Sequence, residues 1–129
     1  KKQIGALVKQ LEQFKPGASE ESLFQQFKSC ADAGLINEMD INAMGYAYLM
    51  EFEQSEKAEA VFKCNTRLFP ESANVYDSYG EALLTNGKKE EAVANYKKAV
   101  AKAEAANDPN AELFRENLKK AASSDVKRP

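Results

Sequence analysis

Apolar residues along this 129-residue chain recur every three or four positions, and no stretch of six or more alternates as a strand would. Ile4, Leu7, Val8, Leu11 and Phe14 form one helical stripe, closed by Pro16-Gly17. Leu23, Phe24, Phe27, Cys30 and Ala31 form a second, with Ser19 placed to cap it and Gly34 at its C′ position. Asn37 is placed to cap a third helix carrying Ile41, Met44, Tyr48 and Leu49. A fourth carries Ala58, Val61, Phe62 and Leu68 and stops before Pro70. Ser72 or Asn74 opens a fifth, with Tyr76, Tyr79, Gly80, Leu83 and Leu84 along it. Asn86-Gly87 turns the chain into a sixth, from Lys89 to Ala106, bearing Ala92, Val93, Tyr96, Ala99 and Val100. Asn107-Asp108-Pro109 breaks that helix, and Pro109 suits the first turn of a seventh with Leu113, Phe114 and Leu118 on its apolar side. Residues 123–129 read as a frayed polar tail.

Two of these helix pairs repeat. Ala58 matches Ala92, Phe62 matches Tyr96 and Pro70 matches Glu104, each at an offset of 34, while Gly45 matches Gly80 at 35. The first copy therefore holds one extra residue, expected in the inter-helix turn near Phe52 to Ser55. Gly45 and Gly80 are expected where one helix of a pair crosses the other. Ala58 and Ala92 would face them, with the aromatics filling the space beside. On this reading all of these residues are scaffold.

Helix-turn-helix units of 34 residues have the period of the tetratricopeptide (TPR) family. Ile41, Met44, Gly45, Tyr48, Ala58, Phe62 and Pro70 resemble one copy of its pattern. Tyr76, Tyr79, Gly80, Leu83, Ala92, Tyr96 and Ala99 resemble the next. Asn65 stands where a small Ala is usual. Glu104 stands where Pro is usual, so the sixth helix should run past the normal stop. The resemblance implies an all-α fold, a TPR-like right-handed α-solenoid of antiparallel helix pairs in one domain. It would comprise a degenerate pair over 4–36, repeats over 38–72 and 73–106, a capping helix over 108–122, and the tail.

A closer likeness lies in INAMGYAYL, NVYDSYGEALLTNGKKEEAVANYKKAV and KAEAANDPNAELFRENLKKA. These resemble the TPR-like C-terminal tails of bacterial esterase-type α/β-hydrolases and of some serine β-lactamase-like proteins. Residues 4–38 resemble the segment that joins such a tail to its hydrolase domain. The likeness implies a non-catalytic accessory segment of a larger bacterial hydrolase, which packs on the catalytic domain or pairs two copies of it. The alternative is a free-standing adaptor that binds a partner peptide in a concave groove. An accessory tail would leave an apolar surface around Ile4 to Phe27, whereas an adaptor would hide it. No catalytic residue carries over, because the chain has no G-x-S-x-G elbow and no histidine.

Composition narrows the chemistry further. With no histidine, the chain holds no Ser-His-Asp or Cys-His set, no HExxH motif and no Cys/His zinc site. Lys plus Arg is 18 against 20 Asp plus Glu, for a net charge of -2. A nucleic-acid module is more often basic. No apolar run nears the roughly 20 residues that cross a bilayer. Neither nucleic acid nor membrane is therefore expected as a partner, and no cofactor or metal is expected. Cys30 and Cys64 make no CxxC pair and read as packing thiols. The chain begins at Lys1, and its first 14 residues are no signal peptide, since Lys9, Gln10, Glu12 and Gln13 interrupt any apolar region. Any export signal would precede Lys1, which leaves both a cytoplasmic and a periplasmic or secreted location open. Glu20-Glu21 and Glu90-Glu91 fall near helix starts, where they favour the helix dipole. Lys88-Lys89 and Lys97-Lys98 read as a solvated face, and GKKEE is no phosphate loop.

By family position, the resemblance assigns a concave binding face to Asn42, Tyr46, Leu49 and Met50 of one repeat and to Asn74, Asp77, Glu81, Leu84 and Thr85 of the next. The partner-binding candidates are Asn42, Tyr46, Met50, Asn74, Asp77, Glu81 and Thr85. Asp77 and Glu81 would repel a carboxylate, so a neutral or basic segment fits better. The plainer alternative is an i,i+4 pair on a solvated face. Met39, Met44 and Met50 are expected in the core, with an adaptable contact surface as the alternative.

Overall fold

A computed structural model describes residues 2–123 of the chain. Most of the expected polar tail lies outside those residues. The fold is all-α: α1 (Lys2–Glu12), α2 (Glu20–Asp32), α3 (Glu38–Tyr46) running into a π-helical turn (Ala47–Glu51), α4 (Ser55–Leu68), α5 (Ala73–Thr85), α6 (Lys89–Ala105) and α7 (Ala111–Ser123). Helices that follow one another in sequence pack together: α1 on α2, α3 on α4, α5 on α6, and α6 on α7. The chain forms two compact units that meet in sequence between Leu68 and Phe69.

In the first unit, Leu7, Leu11, Leu23, Phe24, Phe27 and Cys30 of α1 and α2 are buried. So are Ile41, Leu49, Ala58, Val61 and Phe62 of α3, its π turn and α4. Full burial of each large side chain is worth about 1.5–3 kcal/mol. In the second unit, Phe114 of α7 packs on Ala73 of α5 and on Ala99 and Ala103 of α6, with Tyr76 and Val100 against them. One aromatic thus ties the seventh helix to the pair before it.

The expected caps hold unevenly. The Asn37 side chain accepts from the Asp40 N–H, and the Asp40 carboxylate accepts from the Asn37 N–H, both at 2.9 Å, a complete capping box. Ser19 sits at the N-cap of α2 but makes no cap bond, and Glu20 and Glu21 supply the negative charge of the first turn instead. Ser72 precedes α5, also without a side-chain cap bond. Pro109 lies ahead of α7 rather than in its first turn, and Asp108 Oδ1 accepts there from the Asn110 N–H at 2.8 Å.

The C-termini of α2, α5 and α6 follow one plan. Gly34 and Gly87 take φ of 74° and 80°, and the next N–H reaches back five residues, Leu35 to Cys30 O and Lys88 to Leu83 O, each at 2.9 Å. Asn107, at φ 52°, closes α6 in the same way, with the Asp108 N–H on Ala103 O at 2.8 Å. In the first repeat the corresponding bond runs from Gln54 N–H to Tyr48 O at 2.8 Å, six residues back. Gln54 pairs with Lys88 at offset 34 and Tyr48 with Leu83 at 35, so the extra residue lies between Tyr48 and Gln54. It is taken up by widening the helix end. The Phe52 N–H bonds Ala47 O, five residues back at 3.1 Å, and Ala47–Glu51 is π-helical. The insertion therefore lies mainly in the helix, not in the turn near Phe52 to Ser55. The residue equivalent to Gly87 is Glu53, held at φ 54°.

The atoms that crowd the repeat glycines most closely belong to the aromatics of the facing helix. A Cβ on Gly45 would stand 2.6 Å from Cδ1 and Cζ of Phe62, and a Cβ on Gly80 would stand 3.0 Å from Cε2 of Tyr96. The glycine makes room for the ring, and Ala58 and Ala92 are fully buried in the same pairs. Asn65, in place of the usual alanine, is fully buried and donates from Nδ2 to Glu38 O at 3.1 Å. Its Oδ1 has no hydrogen-bond partner among the described residues. As expected, α6 outruns α4: Lys102 is the equivalent of Leu68, and the helix continues to Ala105.

Candidate functional site

The seven candidate residues divide between the units. Asn42, Tyr46 and Met50 stand on α3 and its π turn. Ile41, Gly45 and Leu49 take the buried side, which leaves Met39, Ala43, Tyr46 and Met50 on the other. Met39 is 77% exposed and Met50 58%, so the expected core role fails for both, while Met44 is half-buried. Tyr46 is half-buried and meets the Phe62 ring edge-on, with centroids 4.9 Å apart. Asn42 Oδ1 is buried and lacks a hydrogen-bond partner among the described residues.

Asn74, Asp77, Glu81 and Thr85 stand on α5. Asn74 and Thr85 are exposed near its two ends, and Thr85 Oγ1 donates to Glu81 O at 2.9 Å. Asp77 does not sit on a solvated face: it is buried, and its Oδ1 accepts from Asn117 Nδ2 of α7 at 3.1 Å. Burial pushes the Asp77 carboxyl above the usual carboxylate range, the Asn117 bond opposes this, and the nearby Glu81 charge adds to it. Glu81 and Leu84 line a cleft of about 360 Å³ with Tyr96, Asn117, Lys120 and Ala121. Lys120, expected on the outward polar face of the capping helix, borders this cleft, and so does Asn117, which no sequence motif marks. Asn117 lies three residues after Phe114 and four before Ala121, both buried, so a polar residue on the apolar side of α7 was the available signal.

A second cleft, of about 310 Å³, opens between α2 and α4 and is lined by Glu20, Glu21, Ala60, Lys63, Cys64 and Arg67. Its charges are mutually engaged. Lys63 Nζ is 3.4 Å from Glu20, Arg67 is 3.0 Å from Glu21, and the Arg67 guanidinium lies 3.5 Å above the Phe24 ring. Burial pushes the Cys64 thiol up to about 12, so it is a packing group and not a nucleophile at neutral pH. Cys30 is likewise buried and free. Among the described residues no three His, Cys, Asp or Glu gather as a metal site would require, and no helix is long and apolar enough to cross a membrane. No family model matches the chain, and no curated protein matches it.

Proposed function

We propose that the chain is a non-catalytic, TPR-type module for protein contact, and that it serves as an accessory segment of a larger bacterial hydrolase. The observation that carries the contact function is the outward side of α3, where Met39 and Met50 are 77% and 58% exposed. Large apolar groups displayed together on one helix side mark a surface that another protein covers. Within the first unit, the packed α3–α4 pair gives such a surface its base.

A second reading, the free-standing adaptor, is favoured by one observation. Leu7, Leu11, Leu23, Phe24 and Phe27 are buried within the first unit, and Val8, at 47%, is the large apolar residue of that stretch left exposed. The segment that would join a hydrolase domain therefore hides most of its apolar side. Intact mass and N-terminal sequence of the native gene product separate the two. A much larger chain with a hydrolase motif ahead of Lys1 supports the accessory reading. A product near 14.3 kDa that starts at Lys1 contradicts it and leaves the adaptor.

A further inference from the structure

The segment from α3 through its π turn is apolar on two opposite sides. Ile41, Gly45 and Leu49 are buried against the rest of the first unit, while Met39, Ala43 and Met50 are exposed on the reverse. The neighbouring α4, by contrast, carries charged groups at its exposed positions, Glu56, Lys63 and Arg67 among them. The Met39–Met50 stripe thus lacks a cover. Its flexible thioethers suit a partner whose side chains are not fixed to one shape.

Charge within the segment that carries the stripe has a single sign, and the nearest cation in sequence after it, Lys57, is held over the Tyr48 ring at 5.0 Å. Between Lys28 and Lys57 the chain carries Asp32, Glu38, Asp40, Glu51, Glu53 and Glu56, and no Lys or Arg. Asp40, Glu51, Glu53 and Glu56 are exposed. A second copy docked through this side would set acidic rim against acidic rim, which opposes self-association there. A cationic partner gains from the same rim in encounter rate and in register. The stripe covers eleven residue steps, roughly 16 Å at helical rise, or about three turns of a docked helix.

We infer that this face docks a basic amphipathic segment of a partner protein. Its apolar side rests on the stripe from Met39 to Met50, and its Lys and Arg side chains meet Asp40, Glu51 and Glu53. The inference rests on the protein-contact reading above and adds the chemistry of the partner. Its test is a titration of the full chain with labelled helical peptides that share one apolar side and differ only in polar side: Lys/Arg, Gln/Ser or Glu. A fourth peptide keeps the Lys/Arg composition but scrambles the apolar spacing.

The basic amphipathic peptide is expected to bind about tenfold more tightly than the neutral one, with an advantage that shrinks as salt rises, and the acidic peptide is expected to bind most weakly. Paired changes Met39→Ser and Met50→Ser, at exposed positions that spare the fold, should cost the basic peptide about tenfold. Glu51→Lys with Glu53→Lys should remove its preference over the neutral peptide. Equal binding of basic and neutral peptides, or of ordered and scrambled basic peptides, would overturn the inference while leaving the contact reading intact. Failure of every peptide to bind would overturn both.

Discussion

At the scale of single residues, contact distance separates two glycines that sequence alignment treats alike. Alanine gains roughly 1 kcal/mol over glycine in a helix interior. At Gly80 the new methyl would stand 3.0 Å from the edge of Tyr96, so a small shift of the ring suffices, and Gly80→Ala should change stability by less than about 1 kcal/mol. At Gly45 the methyl would lie within the space of the fully buried Phe62 ring, and overpacking wins: Gly45→Ala should cost about 1–3 kcal/mol in a denaturant melt. Adding Phe62→Leu should recover part of that loss, and an additive double mutant would deny the contact. Asp77 supplies a pH signature. Its folded carboxyl titrates above the unfolded one, so the folded state holds the proton to higher pH. The associated stability is full below the unfolded Asp range, near 3.8, and is lost as pH rises through the folded value. Asp77→Asn removes the buried charge and keeps an oxygen for Asn117. It should therefore stabilise by about 1 kcal/mol at neutral pH and by nearly nothing in acid. Thermal melts at both pH values check this, and equal effects at the two would refute it.

At the scale of elements, the helix boundaries were largely legible, and the exceptions have physical causes. Apolar spacing places all seven helices because each buries one stripe, and Gly34, Gly87 and Asn37 punctuate them as their backbone chemistry requires. Ser19 could not be distinguished from Asn37 as a cap, since cap bonding depends on the φ/ψ of one residue: extended at Asn37, near ψ 18° at Ser19. The π turn was legible as arithmetic, an offset of 35 against 34, but not as geometry, because a helix end and a loop can each absorb one residue. That turn leaves Glu53 at φ 54°, where glycine serves the second repeat. A non-glycine residue there costs about 1 kcal/mol, partly offset by the freedom glycine gains in the unfolded chain. Glu53→Gly should raise the melting temperature by a few degrees, and Asn107→Gly by less, since Asn tolerates that conformation. A fall in melting temperature for Glu53→Gly would show that this backbone geometry is not a cost.

At the scale of the molecule, each unit has its own core and displays a different candidate surface. The first offers exposed Met39 and Met50 on a segment whose charged residues are all acidic. The second offers a cleft that α7 borders with Asn117 and Lys120. How much of this could be read in advance follows from sequence distance. Tyr46 and Met50 lie four residues apart on α3 and its π turn, so their common side follows from local spacing. Asp77 and Asn117 are 40 residues apart, and nothing local predicts that they meet. Residue type alone places Met39 and Met50 in the core, because methionine usually packs there, while family position puts Met50 on the binding face. Their phase, opposite Ile41 and Leu49, was the better guide. The decisive measurement is oxidative footprinting of the methionines in the isolated chain and in the native assembly from source cells, with half-buried Met44 as the internal reference. The contact function predicts rapid oxidation of Met39 and Met50 in the isolated chain and strong protection of both in the assembly. Equal rates in the two preparations would mean that nothing covers this face, and would contradict the proposed role.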